Sequence, residues 1–202
     1  MTDSTGTTSG NQPADQGGDA GRITLGGHGD VFKNDVRAVA VEECDAANAA
    51  IAVAMAGGGL PADILSMLLS TQNDLFDLDA DLSAPTSGPG EPPARIVPGH
   101  TERLDRAIGH YREQADAPEG LVLPGGTIAA ALLYQARASV RRAERAAWAA
   151  VVRHPDDVNP ETARYLNRLS TLLFTLARGA NAEHGDVVWV PGSSVRALPD
   201  DQ

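Results

Sequence analysis

With a single cysteine, Cys44, the 202-residue chain has no internal disulfide. Helical spacing puts that thiol on or near a buried face with no histidine close in sequence, so it reads as a small core residue rather than a nucleophile. Positive charge is also scarce. Lys33 is the only lysine beside fifteen arginines, and the net charge is −11 with a pI near 4.7. That balance argues against nucleic acid and anionic membranes as partners. The arginine and alanine bias reflects genome composition first and chemistry second. His28, His100, His110, His154 and His184 show no metal-ligand spacing, so no metal site is expected. There is no apolar run of about 18 residues, and no basic leader followed by an apolar stretch, so the expected location is the cytoplasm. Strand-like alternation is confined to Val187–Val190, and internal repeats are missing.

What remains is helical. Residues 1–20 are Thr, Ser, Gly, Asp, Gln and Pro with almost no apolar side chains, and they are expected to form a disordered tail. Val36, Val39, Ala40, Cys44, Ala47 and Ile51 recur at helical spacing up to the stop at Gly57-Gly58-Gly59. Pro61 opens a second helix, with Ile64, Leu65, Leu68, Leu69, Leu75 and Phe76 expected on its buried face. A Pro-, Gly- and Ser-rich loop over 83–98 precedes a third helix, for which Thr101 is the expected N-cap and Leu104, Ile108 and Tyr111 the apolar face. A fourth helix spans about 127–153. The fifth starts at Asn159-Pro160, a cap followed by a first-turn proline. These elements predict an all-α, five-helix bundle over 21–192, with a flexible tail over 193–202.

Two stretches carry chemistry. In Arg137-Ala138-Ser139-Val140-Arg141-Arg142-Ala143-Glu144-Arg145, positions 137, 141 and 144 fall on one helix face. Two guanidiniums there can fork onto phosphate oxygens while the carboxylate holds one in position. Arg142 and Arg145 point away and read as solvated or interface residues. Tyr165-Leu166-Asn167-Arg168-Leu169-Ser170 adds an amide and a further guanidinium on another helix. Such a polar cluster between apolar faces is costly unless it binds something, which points to a polyphosphate. Gly26-Gly27-His28-Gly29-Asp30 looks superficially like a phosphate loop. It follows no clear strand and precedes no Lys-Ser/Thr pair, so it reads as a flexible turn. Trp148 and Trp189 read as packing residues.

Over about 18–192 the chain resembles the ATP:cob(I)alamin adenosyltransferases of the propanediol-utilisation (PduO) type, a trimeric five-helix-bundle family. The resemblance rests on Thr71 to Leu82, Val122-Leu123-Pro124-Gly125-Gly126, Arg137 to Arg145, Tyr165 to Phe174 and the Asp45-Ala46-Ala47-Asn48 stretch. It implies a homotrimer that transfers the 5′-deoxyadenosyl group from ATP, with Mg²⁺, to Co(I) of cobalamin at sites between subunits. Arg141, Glu144 and Asn167 match nucleotide-holding positions, with Arg168 beside them, and Lys33 matches the lysine that reaches the phosphates. Gly18, Asp19 and Gly21 are the surviving positions of a nucleotide loop that begins at about residue 15. Arg137 and Asp45 match a catalytic pair that bridges two chains, and Phe76 lies in a block that walls the corrin pocket.

The chain departs from the family at three points. The threonines and arginine of the family's Thr-Arg-Thr-Gly-Asp-x-Gly-Thr-Thr loop are replaced across residues 15–23. Leu121 stands where the family has the phenylalanine that displaces the lower axial ligand of the corrinoid, and Thr171 replaces an aspartate beside it. These changes bear on phosphate grip, cobalt activation and site charge. They keep two other uses of the pocket open: a different ligand or reaction, or a non-catalytic corrinoid carrier. A cobalamin-dependent enzyme or an active paralogue is then a possible partner. If the Asp45–Arg137 pair joins copies, light scattering will give about three times the 21.0 kDa chain mass; a monomer mass would rule the pair out as a bridge.

Overall fold

The computed structural model describes residues 16–87, 94–113 and 120–195. Five helices follow a short hairpin: α1 Val36–Gly57, α2 Ala62–Leu82, α3 Pro98–Arg112, α4 Ile128–Arg153 and α5 Pro160–Ala180. Local chemistry sets most of their ends. The Asp35 carboxylate accepts from the Arg37 backbone N–H at 2.9 Å, Thr127 caps Ala130 N–H at 3.1 Å, and Asn159 caps Glu161 N–H at 3.1 Å. α1 ends at Gly58, and Gly59 (φ 59°) takes a left-handed conformation that favours glycine.

Helix α4 packs between α1 and α5, with α2 against α1 and α3 against α5. Ala40, Cys44, Ala47 and Ala54 of α1, and Ala136, Ala143, Ala147 and Ala150 of α4, are all fully buried. Alanine faces let two backbones approach closely, so this seam fixes the centre of the bundle. Cys44 is a core residue as expected, and burial pushes its thiol well above its ordinary pKa.

Several expectations change. Leu69 and Phe76 are 56% and 64% exposed, because the buried face of α2 runs through Leu68, Thr71, Leu75, Leu78 and Leu82, one residue round the helix. Thr101 lies inside α3; the helix begins at Pro98, whose lack of an N–H suits a first turn. Gln16–Ala20, within the stretch read as a tail, forms a 3₁₀ turn, while residues 1–15 lie outside the described residues. A two-stranded antiparallel sheet, β1 Arg22–Thr24 and β2 Asp30–Phe32, was not legible as strands. The expected strand at Val187–Val190 amounts to one bridge, Val122 to Val188, flanked by Leu123 N–H to Val187 O (2.8 Å) and Trp189 N–H to Leu121 O (2.7 Å).

Two carboxylates on the buried face of α2 tie the bundle together. Asp74 accepts from the buried Tyr165 hydroxyl at 2.7 Å and from Arg103 of α3. Asp81, only 1% exposed, accepts from Arg95 (2.6 Å), Ile96 N–H (2.9 Å) and the Asn159 amide (2.7 Å). Arg95 also donates to Ala84 O and Pro85 O, and the Asn159 amide donates to Ile96 O as well. One carboxylate thus fixes the end of α2, the approach to α3 and the first turn of α5. Replacing it with Ala leaves the buried Ile96 N–H without its acceptor and removes the charge that Arg95 and the half-buried Asn159 amide share. Asp81→Ala should cost about 3 kcal/mol, roughly 6–12 °C in melting temperature, measured by thermal or urea unfolding.

Candidate active site

Helices α4 and α5 run antiparallel and present two facing stripes. On α4, Tyr134, Arg137, Arg141 and Glu144 follow one another at spacings of three, four and three; on α5, Asn167, Thr171, Phe174 and Arg178 are spaced four, three and four. The stripes meet side chain to side chain. Asn167 Nδ2 donates to Glu144 Oε1 at 2.9 Å, the Arg137 guanidinium lies 5.2 Å from the centre of the Phe174 ring, and Tyr134 meets that ring edge-on at 6.1 Å. At the far end Arg178 Nε donates to Asp186 Oδ2 at 2.6 Å, while the Thr171 hydroxyl turns back to Asn167 O.

The stripe is polar but incompletely paired. Arg137 is half-buried, and its Nε has no hydrogen-bond partner. Burial, then the neighbouring Arg141 charge, lowers its pKa. The hydroxyl of Tyr134 (7% exposed) and Asp186 Oδ1 are likewise buried and unpartnered. A guanidinium in that condition is an acceptor-seeking group, and the exposed Arg141 beside it adds a second fork of donors.

A second group of the expected residues lies at the hairpin. Lys33 N–H donates to Gly21 O (2.9 Å), and Gly21 N–H donates to Gly18 O (3.2 Å). A Cβ placed on Gly18 would sit 3.5 Å from Lys33 Nζ, so the amine reaches over that glycine. Gly21 has φ 72°, a left-handed turn that suits glycine, and Asp19 is exposed beside it.

These two groups do not meet within one chain. The start of α1 lies beside the end of α4, and Arg141 is twelve residues before that end, ~18 Å along the axis. Arg168 turns from Glu144 towards α3 and pairs with Asp105 at 2.8 Å. Arg142 is exposed, as expected, and pairs with Glu43 of α1 at 3.1 Å within the chain. Asp45 is exposed on α1 with no ion pair among the described residues, and Leu121 is 70% exposed next to the Trp189 backbone. Trp148 and Trp189 are both partly exposed rather than packed inside. Asp74, Asp77 and His100 place ligand-type atoms within 4.8 Å of one another, but Asp74 is already engaged by Tyr165 and Arg103. Tyr134, Arg178 and Asp186 escaped the sequence reading, although continuing the three-four spacing from Arg137 and Phe174 reaches the first two.

The sequence profile described as cobalamin adenosyltransferase matches residues 14–180, spanning the hairpin and all five helices. The chain belongs to that family. It is 49% identical over 176 residues to the corrinoid adenosyltransferase of Mycobacterium tuberculosis, covering 87% of this chain and 91% of that one. The Mycobacterium leprae corrinoid adenosyltransferase is 46% identical, with 87% and 93% covered. A solved Lactobacillus reuteri PduO-type ATP:corrinoid adenosyltransferase, a variant complexed with cobalamin and ATP, superposes with TM-score 0.75 at 27% identity; 87% of this chain and 98% of that one are covered. These relatives all carry the transferase name, so neither a different reaction nor a non-catalytic carrier is favoured. Among the described residues, no helix is long and apolar enough to cross a membrane.

Beside Asp45 lies an acidic group with a measurable signature. Burial first, then the charges of Asp45 and Glu42, raise Asp79 on α2 to about 7. Between about pH 4 and about pH 7 the unfolded chain releases a proton that the folded chain keeps, so rising pH costs stability across that window and no more above it. Urea unfolding should show this decline, and Asp79→Asn should flatten it and raise stability above pH 7. An unchanged profile would place the proton elsewhere.

Proposed function

We propose that the chain transfers the 5′-deoxyadenosyl group of ATP to Co(I) of a corrinoid, at sites completed between the copies of a homotrimer. The facing stripes of α4 and α5 carry this reading, above all the unpartnered, half-buried Arg137 beside the exposed Arg141. In the reaction a cobalt–carbon bond forms at C5′, the C5′–O bond breaks, and triphosphate leaves with the electron pair.

Arg141 neutralises phosphate charge as the leaving group develops it. Glu144, fixed by Asn167, holds the nucleotide end of the stripe. Arg168 acts through α5, which its pairing with Asp105 steadies. Lys33, with Gly18, Asp19 and Gly21, offers a second phosphate grip. Arg141 lies ~18 Å along α4 from the end that sits beside the start of α1, and this is the reason to assign the two groups to different copies around one nucleotide. Mg²⁺ enters with the ATP as counter-ion of the phosphates. Asp45 of a neighbouring copy supplies the carboxylate that Arg137 lacks, and their closure excludes water from a strongly reducing nucleophile. Phe76, Leu121 and Thr171 line the corrinoid side; the first two are exposed apolar side chains in the single chain. The need for ATP and for reduced cobalt places the reaction in the cytoplasm, and a cobalamin-dependent enzyme is the natural recipient of the product.

Anaerobic assay with reduced cobalamin and ATP should show conversion to the adenosylated form by absorbance. Arg141→Ala removes a charge-assisted donor worth about 1.5–3 kcal/mol, so kcat/KM should fall ~10- to 100-fold. Wild-type protein that neither binds cobalamin nor forms product would overturn the assignment, and equal rates in wild type and Arg141→Ala would remove Arg141 from it.

A further inference from the structure

The Gly26-Gly27-His28 turn between β1 and β2 looks from sequence like a flexible connector, yet it is docked. Gly27 N–H donates to Ser83 O at 2.8 Å. A Cβ on Gly26, which has φ 42°, would fall 2.5 Å from Ser83 O, and one on Gly27 would fall 3.0 Å from Pro85 Cδ. Both glycines therefore lie against the chain just beyond α2, leaving His28 to reach past them.

Both ring nitrogens of His28 are engaged. Nε2 lies 3.1 Å from Leu82 O, and Nδ1 lies 3.1 Å from Arg37 Nη1. A carbonyl can only accept and a guanidinium can only donate, so the partners dictate a neutral ring with the proton on Nε2. Arg37 is itself pinned: its Nε and Nη2 donate to the two oxygens of Asp35 at 3.0 and 2.9 Å. The histidine thus joins the hairpin to the end of α2 and the start of α1 at once. Within five residues of that bond stand Phe32 and Lys33, the strand end that carries the amine over Gly18.

We propose that His28 is a positioning residue for the triphosphate, holding the hairpin that presents Lys33, Gly18 and Gly21 in the orientation that grips the phosphates. This rests on the adenosyl-transfer reading given above. The groups facing the ring are Arg37 from α1 and Asp35 from its N-cap, Asp157 from the turn after α4, and the Leu82 carbonyl from α2; His154 in turn faces Asp35. Burial first, then the Arg37 charge, lowers the histidine pKa, outweighing the Leu82 bond and the two aspartates. Protonating Nδ1 would remove its acceptor and set a cation against Arg37. Because the folded pKa lies below the ordinary value, the anchor is intact above that value and is lost as pH falls through the folded pKa.

The experiment combines ATP calorimetry, hydrogen exchange over residues 21–33 and steady-state kinetics on wild type, His28→Ala and His28→Gln. His28→Ala should weaken ATP binding about tenfold and raise exchange across the hairpin, while kcat at saturating ATP stays within about twofold. Glutamine offers a donor and an acceptor without titrating, so His28→Gln should restore binding. It should also abolish the loss of ATP affinity that wild type shows as pH falls below the ordinary histidine range. Equal hairpin exchange in wild type and His28→Ala overturns the anchor. Raised exchange with unchanged ATP affinity overturns the positioning role. Normal ATP binding and exchange in a wild type that makes no adenosylated product would sink the proposed reaction while leaving the anchor intact.

Discussion

A carboxylate buried at the end of α2 organises the working parts of this molecule. Asp81 gathers Arg95, the Ile96 N–H and the Asn159 amide, and Arg95 then holds the carbonyls of Ala84 and Pro85. Thr86 continues the connection by donating to the carbonyls of Asp156 and Asp157. The Ser83–Pro85 segment is the surface on which the Gly26-Gly27 turn rests, and Asn159 is the residue that starts α5. Both groups of candidate site residues, the hairpin and the α5 stripe, are therefore referenced to the same buried charge. Such a charge is costly to bury and keeps its place only because every donor around it is aimed inward.

The division of labour along α2 follows from that cost. Leucines at 68, 75, 78 and 82 supply apolar burial, while Asp74 and Asp81 between them supply direction. Apolar contact is nearly indifferent to a small rotation of one helix against another; a hydrogen-bonded carboxylate is not. The same contrast recurs at α4 and α5. Alanines and leucines press the helices together, and the Glu144–Asn167 bond sets which residues face each other.

Helix positions were legible because their signals are local: the Asn159-Pro160 start, the Pro61 opening of α2 and the glycines after α1 act on their own backbone. The Arg137–Arg141–Glu144 face was legible for the same reason, since period alone defines it. What escaped depends on distant partners. Leu69 and Phe76 look as apolar as Leu68 and Leu75, and only the contacts of Asp74 and Asp81 decide which side turns inward. Arg168 looks like a neighbour of Asn167 in function, but one residue of helical rotation hands it to Asp105. Three-residue strands are too short to show alternation, so β1 and β2 were invisible, and nothing in a Gly-Gly-His run announces that Ser83 lies against it. Arg178 and Asp186 pair across a turn that periodicity cannot follow.

The Asn159 anchor also governs how this chain tolerates changes in length. An extra residue between Arg153 and Asn159 would be absorbed by the turn, because the Asp81 bond resets the phase of α5 at its first residue. The same insertion between Asn159 and Asn167 would rotate everything after it by about 100° and swing Asn167 away from Glu144. Length variation among related chains should therefore accumulate ahead of the anchor and vanish behind it, so the anchor works as a reading-frame marker written in three dimensions.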